Sequence, residues 1–391
     1  MLALDTRRGL RRAAPRVGAV LVFGVLPVAI VLSILLITYG RPSFLYDFHG
    51  GLYGAGRDIL RGHSPYRPSF LALQAAIKHA GGAPQTVIDV PVYPAPVLLA
   101  VVPFSLLPFW LAGVLFTLLS LGALVAGLRL LGVGDWRCYG VALGCWPVVL
   151  GLRLGGLTPL ILFGIAVAWR RRAQVRAPAV AIAAIVAAKL FPWTVCVWLL
   201  VTRRFRALGL MILLTALAVV AGWAVIGFKG MTDFPQMLSN LSSVSEAVSV
   251  SPVAALLALG LPASVATAMA LAGTAGLLVV AWRVARQPDG ERRALGLAVM
   301  AAMIASPIVW PHYLALVLVP IALMSPTLSA IWFVPLLAYL APIAQTQGHL
   351  VEMLPYLAID GIVIGRLCGL PEWKAVPRWV HASSDTAAID A

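Results

Sequence analysis

The run RVGAVLVFGVLPVAIVLSILLITYG (Arg16–Gly40) is followed almost at once by LYDFHGGLYGAGRDILRGHSPY (Leu45–Tyr66). The first is apolar over a length that crosses a bilayer. Arg7, Arg8, Arg11, Arg12 and Arg16 precede it. Its apolar part is too long for a signal peptide and no small-residue cleavage site follows, so Val17–Tyr39 reads as a retained first transmembrane helix with its basic end in the cytoplasm. The second stretch holds Asp47, Asp58, His49, His63 and several tyrosines in a chain otherwise poor in charge. A membrane protein that concentrates ionisable groups in one place does its chemistry there.

Composition extends this reading to the whole chain. Of 391 residues, 61% are hydrophobic and 11% charged, with mean hydropathy +0.96. A soluble domain cannot cover a core of that composition, so the fold class is an all-α, polytopic membrane protein. The net charge of +15 does not mark a nucleic-acid partner. Its arginines stand in short clusters between apolar runs, the pattern of cytoplasmic loops. Cys138, Cys145, Cys196 and Cys368 lie in or beside apolar runs without metal-ligand spacing, and read as small hydrophobes.

The arginine clusters set the topology. Gly40-Arg41-Pro42 ends the first span, and residues 41–94 form a large first exoplasmic loop with short helices at Gly51–Arg61 and Phe70–His79. Residues 96–131, interrupted by Pro103 and Pro108, count as one crossing, because two would place Arg170–Arg172 outside. Residues 138–152 and 157–170 then form a hairpin whose tip, Gly151–Gly156, faces out. The run 177–202 splits at Lys189-Leu-Phe-Pro192, which returns Arg203, Arg204 and Arg206 to the cytoplasm. Residues 228–262 form a second exoplasmic loop. About twelve crossings result, in a transmembrane domain over 17–370 between a cytoplasmic basic segment (1–16) and a cytoplasmic tail (371–391). Under this topology Asp47, His49, Asp58, His63, Arg153, Lys189 and His312 converge on the outer face, although only arginine placement was used to orient the chain.

Asp47 comes about one turn past the end of a membrane helix, where partial dehydration makes a carboxylate a better base. A solvated helix-end aspartate fits the spacing as well. Asp58 pairs with Arg61 or Arg41, or faces water, and His49 and His63 are either hydroxyl-binding or solvated loop histidines. Arg153 and Lys189, at the ends of very apolar segments, either meet a lipid-borne phosphate or snorkel to the interface. An aromatic belt accounts for Trp310 and Tyr313 but not for His312, which can donate to a phosphate or sugar. Asp360 lies within the last apolar segment with no partner evident in the sequence. No phosphate-binding glycine loop, dinucleotide fingerprint, zinc motif or nucleophile elbow occurs, which points to a substrate dissolved in the membrane.

Asp47-Phe48, Tyr53-Gly-Ala-Gly-Arg-Asp58 and Leu60-Arg-Gly-His-Ser-Pro-Tyr66 together resemble the first outer loop of the GT87 membrane glycosyltransferases, in the GT-C superfamily. Tyr93-Pro-Ala-Pro96 resembles that family's re-entry segment, Lys189-Leu-Phe-Pro192 its Lys-x-x-Pro break, and Ser306-Pro-Ile-Val-Trp-Pro-His-Tyr313 its Ser-Pro…Trp-x-His-Tyr segment. The match runs in order over about residues 20–320. The family's Gly-Gln at the hairpin tip is replaced here by Gly155-Gly156. The resemblance implies a GT-C-like bundle of the plasma (inner) membrane, working on its exoplasmic side. Its partners would be a polyprenyl-phosphate sugar, most often mannose and in some members arabinose, a glycolipid or cell-envelope glycan acceptor, and membrane lipids. It implies inversion, with Asp47 as general base and Lys189, His312 and Arg153 at the donor phosphate. Tyr53, Tyr66 and Tyr93 would line the sugar pocket, and His49, Asp58, His63, Trp310 and Tyr313 are further candidate substrate contacts. The chemistry demands no metal and no cofactor. A transporter or flippase of a lipid-linked sugar would also need a polar cavity and a phosphate site, but commonly shows internal repeats and a midplane site, and this sequence has neither.

Overall fold

Clustered arginines gather at one end of the folded chain and the helix breaks at the other. The computed structural model describes residues 17–41, 43–66 and 92–369. The expectations for the basic segment 1–16, a surface helix at 70–79 and the tail 371–391 lie outside the described residues. The first elements are α1 (Val17–Thr38) and α2 (residues 46–60, with a π-helical stretch at His49–Gly54). Helices α3 (Ala95–Ser105), α4 (Phe109–Leu130), α5 (Trp136–Gly144), α6 (Trp146–Leu154) and α7 (Thr158–Arg170) follow. Next come α8 (Arg176–Ala188), a 3₁₀ turn at Phe191–Thr194, α9 (Val195–Val201) and α10 (Phe205–Val225). Then come α11 (Phe234–Ser245), α12 (Pro252–Ala258), α13 (Ala263–Val284) and α14 (Gly290–Ala305). The chain closes with 3₁₀ turns at Pro311–Val317 leading into α15 (Leu318–Met324), more at Ala330–Leu340, and α16 (Leu350–Leu367). No strand occurs among the described residues.

Helices α1, α4, α10 and α13 are each long and apolar enough to cross a bilayer, and a fifth span results if the bent pair α6–α7 counts as one. In α1, α10 and α13 only 17% of the most apolar window is buried inside the protein. Apolar surface on that scale is stable only against lipid, so the chain is a membrane protein. The sequence reading expected about twelve crossings. The remaining apolar helices, such as α8 and Pro311–Met324, have 10–17 residues, short of the usual span.

Two features differ from expectation. The helix expected at 51–61 begins earlier, at Tyr46, so Asp47 is helical. The stretch 96–131 is divided at Leu106–Pro108 into α3 and α4. Helix α3 keeps both its ends beside the 46–60 segment and α10. Gly222 of α10 lies against Pro96, and Ser105 Oγ donates to the Tyr53 carbonyl at 2.9 Å. The span itself is α4.

Side-chain contacts define the arginine end. Arg204 Nε donates to the Arg172 carbonyl at 2.9 Å, and Glu291 meets Arg204 Nη1 at 2.5 Å and Arg172 Nε at 3.4 Å. These contacts join the α7–α8 turn, the α9–α10 turn and the start of α14. The sequence-predicted split at Lys189 is present, because the chain rises along α8, breaks, and returns along α9 to the same end. Arg293 Nε donates to the Leu367 carbonyl at 2.7 Å, bringing the end of α16 there too. Asp135 caps α5, accepting from the Arg137 N–H at 3.0 Å, and also accepts from the Leu328 N–H at 3.3 Å. The core between the ends is carried by the middle of α14 and the Pro311–Leu323 segment, whose residues are almost all buried.

Candidate active site

Four chain breaks meet at the far end of the bundle. The first is at Leu45, which takes a left-handed conformation (φ 50°) at the head of α2 and donates its N–H to the Arg153 carbonyl at 2.8 Å. The second is the α6–α7 tip. Gly155 caps α6 at φ +69°, and a Cβ there would lie 2.6 Å from Phe48 Cβ, so glycine is required both by conformation and by the closeness of α2. The third is Lys189–Phe191, between α8 and α9, and the fourth is Ser306–Trp310, after α14.

These breaks put Asp47 Oδ2 3.5 Å from His312 Nε2. His312 is buried, and neither ring nitrogen has a hydrogen-bond partner among the described residues. Gly156 closes the other side, since a Cβ built on it would stand 3.1 Å from His312 Cδ2, 3.2 Å from Nε2 and 3.7 Å from Asp47 Oδ2. Lys189 is half-buried in a cage of rings, with Nζ 3.9 Å from the centre of Tyr313, 5.2 Å from Tyr93 and 5.8 Å from Phe191. Tyr313 and Phe191 stack 4.8 Å apart with planes 11° from parallel. Lys189 feels the charge of Asp47, as do Tyr93 and Tyr313. Lys189 has no carboxylate within ion-pair distance among the described residues. Arg153 Nε is buried and also lacks a hydrogen-bond partner there. A buried donor without an acceptor is costly in an empty protein and is satisfied when a ligand brings one. An imidazole beside a carboxylate, with an ammonium that feels the same charge, can hold an anion while the carboxylate takes a proton.

The other sequence-predicted residues divide by placement. Tyr93 is buried in the Lys189 cage. Trp310 is half-buried and accepts the Tyr313 N–H on its carbonyl at 2.8 Å. Tyr53 and Tyr66 are buried with their hydroxyls committed to the backbone, Tyr53 to the Leu107 carbonyl at 2.8 Å and Tyr66 to that of Tyr93 at 2.6 Å. Tyr66 thus supports Tyr93, and its ring packs on Trp223 and Phe234. His49 is exposed with its ring edge-on to Phe109 at 4.6 Å. Asp58 is half-buried on α2, and His63, exposed beyond that helix, donates its backbone N–H to the Asp58 carbonyl at 2.9 Å. The ring contacts of His49 run to Phe109 and Tyr53 and the backbone of His63 bonds to α2, so these contacts do not bring either residue to His312.

Sequence reasoning missed Gly156 and Phe191 as site residues. Phe191 lay inside the Lys189–Pro192 motif, and Gly156 at the tip where the family's amide was sought. It also missed the support from the second loop segment. Ser251 Oγ donates to the Pro307 carbonyl at 2.8 Å while capping α12, and the Val250 N–H reaches the Val309 carbonyl at 2.8 Å. Ser249-Val-Ser251-Pro252 carries a helix-start signature that could have flagged this anchor. Among the described residues no three His, Cys, Asp or Glu side chains gather as a metal centre would require.

Fold and site together define an all-helical membrane protein with a carboxylate–imidazole pair and a ring-caged ammonium at one end of its bundle. The family model of glycosyltransferase family 87 matches residues 92–307, more than half of the chain, and the chain belongs to that family. The match includes Arg153 and Lys189, begins after Asp47 and ends before His312. No curated protein and no solved structure matches the chain.

Proposed function

We propose that this glycosyltransferase moves a sugar, with mannose the first candidate and arabinose the second, from a polyprenyl-phosphate carrier to a hydroxyl of a glycolipid or cell-envelope glycan. In this reading the Asp47 end faces the exoplasmic side of the plasma membrane and both termini lie in the cytoplasm. About twelve passes join the two ends. The arginine cluster at the opposite end supports that orientation.

The observation that carries the proposal is the 3.5 Å approach of Asp47 to His312, with the ring nitrogens of His312 unpartnered among the described residues and the Lys189 ammonium feeling the charge of Asp47. Asp47 takes the proton of the acceptor hydroxyl as its oxygen forms a bond to the anomeric carbon. The bond from that carbon to the phosphate oxygen breaks, and polyprenyl phosphate leaves. Attack opposite to departure inverts the anomeric centre. Lys189, His312 and Arg153 stabilise the charge that grows on the leaving phosphate. Tyr93, Tyr313 and Trp310 shape the walls beside it.

The test is transfer of label from radiolabelled polyprenyl-phosphate mannose into a membrane glycolipid extract, by wild type and by Asp47→Asn. Loss of the base should cost a factor of ~10²–10⁴ in rate in a variant with a wild-type size-exclusion profile. Equal rates would remove Asp47 from the mechanism. If neither protein transfers mannose, polyprenyl-phosphate arabinose is the next donor, and failure there would favour carriage of a lipid-linked sugar over its transfer.

A further inference from the structure

A cavity at the arginine end has no part in that chemistry. It measures about 530 Å³ and opens between the α9–α10 turn and the α13–α14 turn, lined by Arg203, Arg204, Arg286 and Glu291 among others. It lies one helix away from Lys189, about 20 Å along the thirteen residues of α8.

Its charge is unbalanced. Glu291 is engaged by Arg204 and Arg172. Arg203 and Arg286 have no carboxylate partner among the described residues, and both side chains are exposed at the cavity. Arg203 is held at φ +59°, where side-chain-bearing residues are uncommon, so the tight turn presents an arginine at a position that would favour glycine. The guanidinium of Arg286 lies 3.9 Å over the Trp282 ring, and that of Arg204 5.1 Å from Trp198. Arg204 spends its N–H groups on the Arg172 carbonyl and Glu291, whereas stacking fixes the plane of Arg286 and leaves its N–H edge available, which suits a tetrahedral oxyanion.

We propose that this cavity binds a phosphate group, presented by an anionic phospholipid headgroup or by a soluble phosphate compound. The surroundings favour the lipid. Two long spans, α10 and α13, terminate at the cavity, and their exposed Phe205 and Trp282 stand at its edge as interfacial aromatics do. A headgroup seated on Arg203 and Arg286 would lay its acyl chains along the exposed apolar faces of those spans, for example at Ile212, Leu213 and Val279. Juxtamembrane arginines attract anionic lipid in this way.

The experiment uses the full chain purified in neutral detergent. Phosphatidylglycerol is titrated and its binding read by native mass spectrometry, with phosphatidylcholine as the uncharged control and sodium pyrophosphate as the soluble probe. Wild type is compared with Arg286→Gln and with Arg203→Gln/Arg286→Gln. Arg286→Gln alters an exposed side chain that makes no side-chain hydrogen bond among the described residues and should fold normally. Selective phosphatidylglycerol binding that weakens by ~10-fold for each arginine removed supports the lipid source. Arginine-dependent pyrophosphate binding without phosphatidylglycerol selectivity supports the soluble source. Binding of both probes that is equal in all three proteins, or absent from wild type, overturns the proposal. None of these readouts depends on sugar transfer, so the site stands or falls separately from the reaction.

Discussion

Three glycines near the α6–α7 tip give a graded test of the site geometry. An alanine Cβ at Gly151 would sit 3.6 Å from His312 Cβ, an ordinary contact. At Gly156 it would sit 3.1 Å and 3.2 Å from the His312 ring, so the imidazole must give way by about 0.3 Å to reach ordinary contact. At Gly155 the φ of +69° disfavours any side chain, and the methyl would press within 2.6 Å of the Cβ of the buried Phe48. Gly151→Ala replaces a helical glycine and should raise stability slightly, by ~0.5–1 kcal/mol, with transfer near wild type. Gly156→Ala should leave the fold intact and strain the Asp47–His312 pair by about 1 kcal/mol, the low end of overpacking costs. That corresponds to a factor of about five in rate. The loss should be larger if the methyl, 3.7 Å from Asp47 Oδ2, also occupies the approach of the acceptor hydroxyl. Gly155→Ala should cost ~1–2 kcal/mol from conformation alone, more with the Phe48 clash, and should lower the unfolding temperature. Label transfer from polyprenyl-phosphate mannose and thermal unfolding in detergent, measured together, separate the three. Wild-type transfer by Gly156→Ala, or an equal loss in Gly151→Ala, would refute the view that His312 is positioned against this tip.

Lys189→Gln should lower transfer by ~10²-fold while retaining the fold, because it removes one preorganised charge from the leaving phosphate; kcat near wild type would place Lys189 outside the reaction. Tyr66→Phe removes a buried 2.6 Å hydrogen bond to the Tyr93 carbonyl and should cost ~1–3 kcal/mol, read as a lower unfolding temperature and a smaller loss of activity than Lys189→Gln. Burial alone would raise the carboxyl of Asp135, but the bonds it accepts from Arg137 outweigh this and hold it below its usual range. A depressed folded value stabilises above the unfolded one, about 3.9, and that contribution is lost as pH falls through the folded value. The unfolding temperature of wild type should therefore fall more between pH 6 and 3 than that of Asp135→Asn, and parallel curves would discount the pair.

The coarse plan of the molecule was legible because membranes impose it locally. Arginines at the ends of apolar runs report which end of a bundle they occupy. The break at Lys189–Pro192, the hairpin tip at 155–156 and the Ser306–His312 segment all fall where breaks were expected. What the sequence did not reveal is which hydroxyl meets which carbonyl. Tyr53 and Tyr66 looked like pocket residues from their place in a polar loop. Their partners, Leu107 and Tyr93, lie 54 and 27 residues away and are chosen by tertiary packing. The independence of α3 from the α4 span was hidden for the same reason, since Ser105 and Pro96 reveal it only through contacts with Tyr53 and Gly222.

The site also accounts for why so many helices are short. Each helix end leaves backbone N–H and C=O groups unpaired, which hydrocarbon cannot satisfy, so breaks within a membrane are tolerated only where protein or a polar cavity receives them. Here the breaks serve one another. The carbonyl of Arg153, at the end of α6, takes the N–H of Leu45, and the carbonyls of Pro307 and Val309, beyond the end of α14, take Ser251 and Val250. Each of these exchanges ties down a segment that carries, or adjoins, Asp47, Arg153 or His312. The polar end is therefore a means of holding the charged side chains as well as a place for them. Continuous twenty-residue helices in the same positions would satisfy their own backbone and leave α2 and the Ser306–Trp310 segment with nothing to bind.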